Sequence, residues 1–239
     1  MRKSLFLSFI IMVLFAYEAC NNNNGTGPVL SSSSLSSPYF PLAIGNWWEY
    51  HGYTLDSNGN EAPGSEGYEF DTIVRTVNIQ GFLAYVMNSS KSSQPVYLTF
   101  DSAGDLMVLD DTSDGAGKGT WYIAELFSNQ TAGATVPYEI SNHITGGLNN
   151  VYFDTFFGNV SVTVPAGTFT AVAYRDTNGY TIASPDNSET YSSVEHTYFA
   201  EKVGLLEATG FSVDAFKTSN SSSSIRQGSH SELVSYYVQ

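Results

Sequence analysis

The chain has 239 residues, of which 9 are Lys or Arg and 23 are Asp or Glu, so its formal net charge is −14. This balance argues against a nucleic-acid partner, because binding to phosphates needs a basic patch. It also argues against adsorption to anionic lipid headgroups, so any attachment to a membrane must come from a covalent lipid. The length suffices for one domain with an ordinary hydrophobic core.

Residues 1–19 are predicted to be a lipoprotein signal peptide. Two basic residues open the chain, an apolar run covers residues 5–16, and the small residue Ala19 stands directly before Cys20, the single cysteine. A basic start, a short apolar run and a small residue at the cleavage point are typical of an export signal. With Cys20 at the cut, this order indicates a bacterial lipoprotein, in which the thiol is acylated and becomes the mature N-terminus.

Two positions leave alternatives to acylation open. A typical lipoprotein signal has Leu three residues before the cysteine and a small residue two before it, whereas this chain has Tyr17 and Glu18. The alternatives are a soluble secreted protein cut nearby and an uncleaved anchor, although a membrane-spanning helix needs roughly 20 apolar residues and this run is shorter. Several acyl chains on Cys20 would suffice for stable anchoring. Asn21 differs from the Asp that retains enteric lipoproteins at the inner membrane, which favours the outer membrane.

Residues 20–38 are predicted to form the acylated cysteine and a flexible tether. They are mainly Asn, Gly and Ser, and a stretch of this composition cannot bury enough apolar surface to offset the entropy of ordering it. The folded part is predicted to be a single β-rich domain of residues 39–239. Acylation of Cys20 leaves no thiol for a disulfide bond, so this domain must be stabilised by its hydrophobic core.

The domain is predicted to be mainly β, with a single antiparallel curled sheet, half-barrel or sandwich and few or no helices. Tyr, Phe, Val and Thr are abundant, Gly recurs, and no long stretch has helical spacing. In chain order the predicted strands are residues 68–79, 82–87, 96–100, 106–109, 151–157, 160–164, 169–175, 190–199, 205–211 and 233–238. Their short connections favour antiparallel pairing. Residues 120–127 are predicted to be a short helix, and the Ser-rich residues 218–224 an exposed loop.

Two motifs predict where the core begins. A turn precedes the first strand, in which Trp47 is expected to be largely buried. Because alternate strand residues face opposite sides, Trp48 is then expected on the second face or beneath a loop. In residues 164–169, Gly167 permits a tight reversal, and Phe169 begins the next strand and is also expected to be largely buried.

Three segments carry a family resemblance. Residues 39–50 read YFPLAIGNWWEY, residues 164–169 read VPAGTF, and residues 200–206 read AEKVGLL. In this order they resemble the motifs of uncharacterised bacterial lipoproteins of the TapB-type group of domains of unknown function. The resemblance implies a secreted β-rich domain, and it implies no reaction, since no catalytic residues are established for that group.

No catalytic group is predicted, and neither is a cofactor. Glu195 and His196 are an acid beside a base, but neighbours on a strand face opposite ways and cannot form a hydrogen bond between their side chains. The other histidines, His51, His143 and His230, have no metal-like spacing. The chain has no G-x-S-x-G nucleophile elbow. A triad assembled in space stays open, since sequence order does not reveal one.

One loop is a weak candidate for a metal site. Asp110, Thr112 and Asp114, followed by Gly115, start like a calcium loop with oxygen ligands at alternate positions. The pattern then fails, because Trp121 stands where an EF-hand has its closing Glu. An ordinary acidic loop is the alternative interpretation.

Three functions are consistent with these observations. The leading one is a lipid-anchored cell-envelope domain with a non-catalytic binding or scaffolding role, held to the membrane through Cys20. The second is a carrier of an apolar ligand in a LolA-like curled sheet, which would need an apolar cavity open to solvent; this is an analogy of folds only. The third is a carbohydrate-binding or carbohydrate-active protein, which would need a row of exposed coplanar aromatic rings. The ligand or partner is not specified by the sequence.

Overall fold

The computed structural model describes residues 36–110, 119–139, 151–183, 187–218 and 221–239. Cys20, His143, Thr112 and Asp114 lie outside these ranges, and of Asp110 only the backbone is described. The predicted signal, lipid attachment and calcium loop therefore stay predictions. Among the described residues, no helix is long and apolar enough to cross a membrane.

The described residues form strands and no helix. The strands are β1 (Trp47–Leu55), β2 (Gly67–Ile79), β3 (Phe82–Ser89), β4 (Val96–Phe100), β5 (Leu106–Asp110), β6 (Thr120–Glu125), β7 (Thr135–Glu139), β8 (Val151–Val164), β9 (Gly167–Ala183), β10 (Asn187–Ala200), β11 (Gly204–Thr218) and β12 (Ser222–Tyr237).

These strands belong to one antiparallel sheet in the order β6-β5-β4-β3-β2-β1-β12-β11-β10-β9-β8-β7. The first and last strands pair in the middle of the sheet, so β6 and β7, which are neighbours in sequence, become its two edges. The sheet curls until it is nearly closed into a barrel, and β6 and β7 lie against each other along a line that we call the seam. The prediction of a mainly β, antiparallel curled sheet is therefore confirmed.

The connection between the edge strands, residues 126–134, helps to close the seam. Ser128 donates hydrogen bonds to the buried Asp105 carboxylate in the β4–β5 turn, from its backbone N–H (2.6 Å) and its hydroxyl (2.8 Å). On the other side, Gln130 Nε2 donates to the Tyr174 hydroxyl on β9 (2.7 Å). The connection therefore ties β4 and β5 to β9 across the seam.

The inner face of the sheet encloses one large hydrophobic core. Its fully buried side chains come from strands all round the curl and from the segment before β1; the largest are Phe40, Trp48, Ile73, Met87, Leu98, Phe100, Leu106, Tyr174, Leu206 and Leu233. Aromatic rings make much of this contact, and each large ring that is withdrawn from water contributes strongly to stability.

Trp48, and not Trp47, is the tryptophan of the core. Trp48 is fully buried, its Nε1–H donates to the Val203 carbonyl (2.5 Å), and its ring stacks on Phe40 with 5.3 Å between centroids. Trp47 is half-buried on the outer face. The prediction for Trp47 is therefore wrong. Alternate residues of β1 face opposite sides of the sheet, and Trp48 shares the inner face with the buried Tyr50. Trp47 therefore faces outward.

Phe169 is half-buried, less than the sequence analysis predicts. It follows the β8–β9 turn by two residues, so it lies at an end of the sheet where the core is covered from fewer sides. It packs at the margin of the core, with its ring 6.2 Å from that of Tyr236.

The predicted helix at residues 120–127 is wrong, since residues 120–125 form the edge strand β6. They pair with β5, placing Met107 opposite Ile123 and Leu109 opposite Trp121. β-branched and aromatic residues favour strands, and the free edge of β5 offers this segment a ladder of backbone hydrogen bonds.

Two further boundaries differ from the prediction. The predicted strands 151–157 and 160–164 are one strand, β8, interrupted by a bulge between Phe156 and Gly158, which has a positive φ of 97°. Ser222 to Ser224, expected in a loop, are already part of β12 because they continue its ladder with β11. In both cases pairing with a neighbouring strand overrides the local turn composition.

Candidate functional site

Three carboxylates form a row across the inner face of the sheet. Asp154 on β8 lies directly opposite Asp176 on β9, and Asp176 lies directly opposite Glu195 on β10. Directly paired residues of neighbouring strands share a face and have their Cβ atoms close together, and like charges at such positions repel. The sheet therefore places three acids side by side where apolar residues would be expected.

A fourth carboxylate reaches this row from the opposite edge of the sheet. Glu125 is the last residue of β6, and one ligand atom from each of Glu125, Asp154 and Asp176 lies within 4.8 Å of the other two. Glu125 is 3% exposed and Asp154 is 0% exposed. We call these three residues the seam cluster, because they join β6 to β8 and β9 where the sheet closes.

Within the described part of the chain, the seam cluster has one hydrogen-bond donor for each carboxylate. Asn129 Nδ2 donates to Asp154 Oδ2 (3.0 Å) and the Thr197 hydroxyl donates to Glu125 Oε2 (3.2 Å). The Tyr138 hydroxyl donates to Asp176 Oδ1 (2.8 Å). The second oxygens, Glu125 Oε1 and Asp154 Oδ1, are buried and have no hydrogen-bond partner among the described residues. Unpaired buried polar atoms of this kind are costly and call for an explanation.

Burial raises the pKa of every carboxyl in this region. It raises the pKa of Asp154 to about 6 and, with the neighbouring Asp154 charge, raises that of Asp176 to about 7. The pKa of Glu125 rises well above its usual range, first through burial and then through the charges of Asp176, Asp154 and Glu195. All three of these charges are negative, and among the described residues no salt bridge to a base offsets them. Such a group of acids must take up protons or a cation.

The seam cluster is not predicted from the sequence. Its three acids lie far apart in the chain and are brought together by three different strands, so no local spacing indicates the cluster. A signal was present: in β8, Asp154 stands between Tyr152 and Phe156 at every second position, so an acid occupies the register of inward-facing aromatic residues.

The outer face of the sheet carries a second candidate site, a row of aromatic and histidine rings that we call the aromatic strip. Its members lie on three adjacent strands: Trp47, His51 and Tyr53 of β1, Tyr68 and Phe70 of β2, and His230 of β12. Ring centroids are 5.2 Å apart for Trp47 and Phe70, 5.1 Å for His51 and Tyr68, and 4.9 Å for Tyr53 and His230. Tyr68 is 61% exposed and Phe70 is 43% exposed, so the strip is open to solvent.

Acids flank both histidines of the strip. His51 Nδ1 lies 3.6 Å from Glu232 and its Nε2 lies 3.9 Å from Glu66. The acid beside His230 is Glu207, 4.0 Å from Nδ1. The same nitrogen shares a hydrogen bond of 2.7 Å with the Thr209 hydroxyl.

The arrangement around His230 differs from that of a catalytic triad. In a triad the nucleophile and the orienting acid contact opposite nitrogens of the imidazole. Here Glu207 is 4.0 Å from Nδ1, the same nitrogen that contacts Thr209.

The remaining pair that the sequence suggested is separated by the sheet. Glu195 belongs to the inner row, whereas His196 lies on the outer face, with its ring 6.4 Å from that of the exposed Phe157. Burial and the nearby Arg175 lower the pKa of His196. The two side chains therefore do not form an acid–base pair. This agrees with the prediction from strand alternation that they face opposite ways.

Comparison with known proteins gives distant likenesses only. No family model matches the chain, and no curated protein matches it. The chain is similar to the crystal structure of a candidate lipoprotein from Parabacteroides distasonis, with a TM-score of 0.40 and 15% identity over 83% of this chain and 98% of that chain. It is also similar to the crystal structure of a candidate exported protein with a YmcC-like fold from Bacteroides fragilis, with a TM-score of 0.44 and 14% identity over the same shares. The TapB-type resemblance remains an expectation that depends on three sequence motifs.

Proposed function

We propose that the protein is a lipid-anchored domain of the cell envelope with a non-catalytic binding role. The signal that ends at Cys20 and the Asn- and Ser-rich tether behind it support the anchor, and Asn21 favours the outer membrane of a two-membrane organism. The aromatic strip is the observation that supports binding. Its solvent-exposed rings on a firmly paired sheet form a surface that is ready for a ligand before the ligand arrives.

A saccharide is the ligand class that fits the aromatic strip best. Sugar rings have an apolar face that packs on aromatic rings and a rim of hydroxyls that bind to carboxylates and imidazoles. The strip offers both kinds of group, since Glu66 and Glu232 flank His51 beside Tyr68. With a net charge of −14 the protein repels anionic polymers, so the saccharide is neutral or basic.

The row of exposed coplanar rings expected of a carbohydrate-binding protein is found only in part, because Tyr68 and Phe70 are exposed but the rings are tilted against one another. The planes of Trp47 and Phe70 meet at 33° and those of His51 and Tyr68 at 42°, so the row is not coplanar. The tilt follows from the twist of the strands. A glycan whose successive sugar rings are rotated against one another can follow such a row.

The packed interior supports a surface site over a carrier site. The inside of the curl is occupied by mutually contacting aromatic and aliphatic side chains, with Trp48, Tyr174 and Phe100 fully buried. An apolar ligand would have to displace these side chains, and a packed core resists such displacement.

Removing one ring of the aromatic strip is expected to weaken saccharide binding by about fivefold or more, because truncating a central aromatic contact typically costs about 1 kcal/mol or more. We expect this for Phe70→Ala when cellohexaose and chitohexaose are titrated calorimetrically. Phe153→Ala is the matched control, since Phe70 and Phe153 are both 43% exposed and lie six strands apart in the sheet. Equal affinities of the two variants, or no binding of either saccharide to the wild type, would contradict the proposal.

The mature protein is expected to begin at Cys20 and to carry acyl chains on that residue. Mass spectrometry of the N-terminal peptide from membrane fractions tests this. Cys20→Ser is expected to move the protein out of the membrane fraction, since several acyl chains are what provides stable anchoring. An unmodified Cys20 in a soluble mature protein would rule out the anchor and leave the binding proposal standing.

A further inference from the structure

We propose that the seam cluster, Glu125, Asp154 and Asp176, binds one divalent cation with calcium-like chemistry, which joins the two edges of the curled sheet. This site is distinct from the aromatic strip on the outer face, and the inference does not rest on the proposed function. The cation would link β6 to β8 and β9 inside the sheet, at the seam.

A second observation, independent of the clustering of the acids, indicates a ligand at this site: several buried oxygens lack a hydrogen-bond partner among the described residues. Glu125 Oε1 and Asp154 Oδ1 are each on a side chain more than nine-tenths buried, and neither has a hydrogen-bond partner among the described residues. Asn178 adds a neutral oxygen of the same kind. It lies two residues after Asp176, on the same face of β9, and its Oδ1 is buried and unpartnered within the described structure. Carboxylate and amide oxygens are the ligands that hard cations prefer.

Charge balance supports the same conclusion. The opposing carboxylates of Asp154 and Asp176 repel each other across the β8–β9 ladder. Their nearest donors, Asn129 and Tyr138, are neutral. A buried charge that lacks a counter-charge is strongly disfavoured. A divalent cation would neutralise most of this charge and would occupy the free oxygens at the same time.

The spacing of the oxygens suits calcium. Ca²⁺ binds oxygens at about 2.3–2.6 Å, so two ligands of one ion can stand up to about 5 Å apart. The ligand atoms of Glu125, Asp154 and Asp176 all lie within 4.8 Å of one another, so they can reach one Ca²⁺ with little movement. Mg²⁺ binds at about 2.0–2.1 Å in a nearly ideal octahedron, which a set of ligands from three separate strands matches less readily.

Calorimetric melting of the mature, full-length chain at pH 7.5 tests the inference. Saturating CaCl₂ is expected to raise Tm by about 5–10 °C over the value in EDTA. Titration calorimetry is expected to give one ion for each chain. Asp154→Asn and Glu125→Gln, which keep the size of the side chain, are expected to lose both responses. Glu201→Gln, which removes an exposed acid outside the cluster, is the control and is expected to keep them.

The possible results separate this site from its alternatives. If neither Ca²⁺, Mg²⁺ nor Mn²⁺ raises the Tm of the wild type, the cluster holds protons only and the inference is overturned. If Asp154→Asn responds to Ca²⁺ as the wild type does, the ion binds to the acidic surface in general and the inference is overturned as well. The inference is supported when the response is present in the wild type and in Glu201→Gln and absent from both cluster variants.

Discussion

Replacing Trp48 with alanine is expected to lower the free energy of unfolding by about 3–5 kcal/mol. The side chain is fully buried, so the change leaves a large cavity beside Phe40. It also removes the donor to the Val203 carbonyl and leaves that acceptor unpaired. Urea unfolding followed by circular dichroism measures the loss.

Trp47→Ala is the matched control for this prediction. It removes the same side chain from the adjacent position, where the indole is half-buried and packs on Phe70, so a cost on the order of 1–2 kcal/mol is expected. Equal costs at the two positions would show that the assignment of inner and outer faces in β1 is wrong. Gly204→Ala gives an independent check of the position of Trp48. It is expected to lower the free energy of unfolding, because the added Cβ would lie 2.9 Å from Trp48 Nε1 at a backbone φ of 112°.

Without a cation, the stability of the protein is expected to fall as the pH rises from about 4 to about 7. The pKa of Asp154 in the folded protein is about 6 and that of Asp176 about 7, against an ordinary value of 3.8. A raised folded pKa means that the folded state binds more protons than the unfolded chain between the two values. The stabilisation is therefore complete below about pH 4 and is lost as the pH rises through the folded pKa values.

Asp154→Asn is expected to remove much of this pH dependence. In EDTA at pH 8 the variant should be more stable than the wild type by roughly 2 kcal/mol, after allowance for solvent screening. At pH 3.5 the two should differ little, because Asp154 is then mostly protonated in both the folded and the unfolded wild type. Chemical unfolding at both pH values measures the effect, with Glu201→Gln as the control. A variant that is less stable than the wild type at pH 8 in EDTA would contradict the assignment of repulsion to the cluster.

Most of the strands could be predicted from the local pattern of residues along the chain. The pattern of Val96 to Phe100 predicts β4 with its observed bounds, and the predicted strands 68–79 and 82–87 are found as the paired strands β2 and β3. Where pairing with a neighbour decides the outcome, the pattern fails. β6 is a strand because the edge of β5 is available to residues 120–125, and no local feature of those residues reports that edge.

The candidate sites depend on contacts that are remote in sequence. Glu125 and Asp176 meet only because a sheet of twelve strands curls far enough to bring its edges together. Within the aromatic strip, His230 stacks on Tyr53 because the last strand pairs with the first. Local periodicity identifies which face each residue occupies once the register is known, but it does not identify which strands are neighbours. The choice between Trp47 and Trp48 fails for the same reason, since two adjacent aromatic residues fit either register.

The binding claim is tested most directly by the indole N–H resonances of the three tryptophans during titration with cellohexaose or chitohexaose. Trp47 lies in the aromatic strip, Trp48 is buried with its N–H bonded to Val203, and Trp121 packs on Phe82 at the other end of the β6-to-β1 half of the sheet. We predict that the saccharide shifts the Trp47 resonance in a saturable manner and leaves those of Trp48 and Trp121 in place. A Trp47 resonance that stays unchanged at millimolar saccharide, or a shift confined to Trp121, would contradict binding at the aromatic strip.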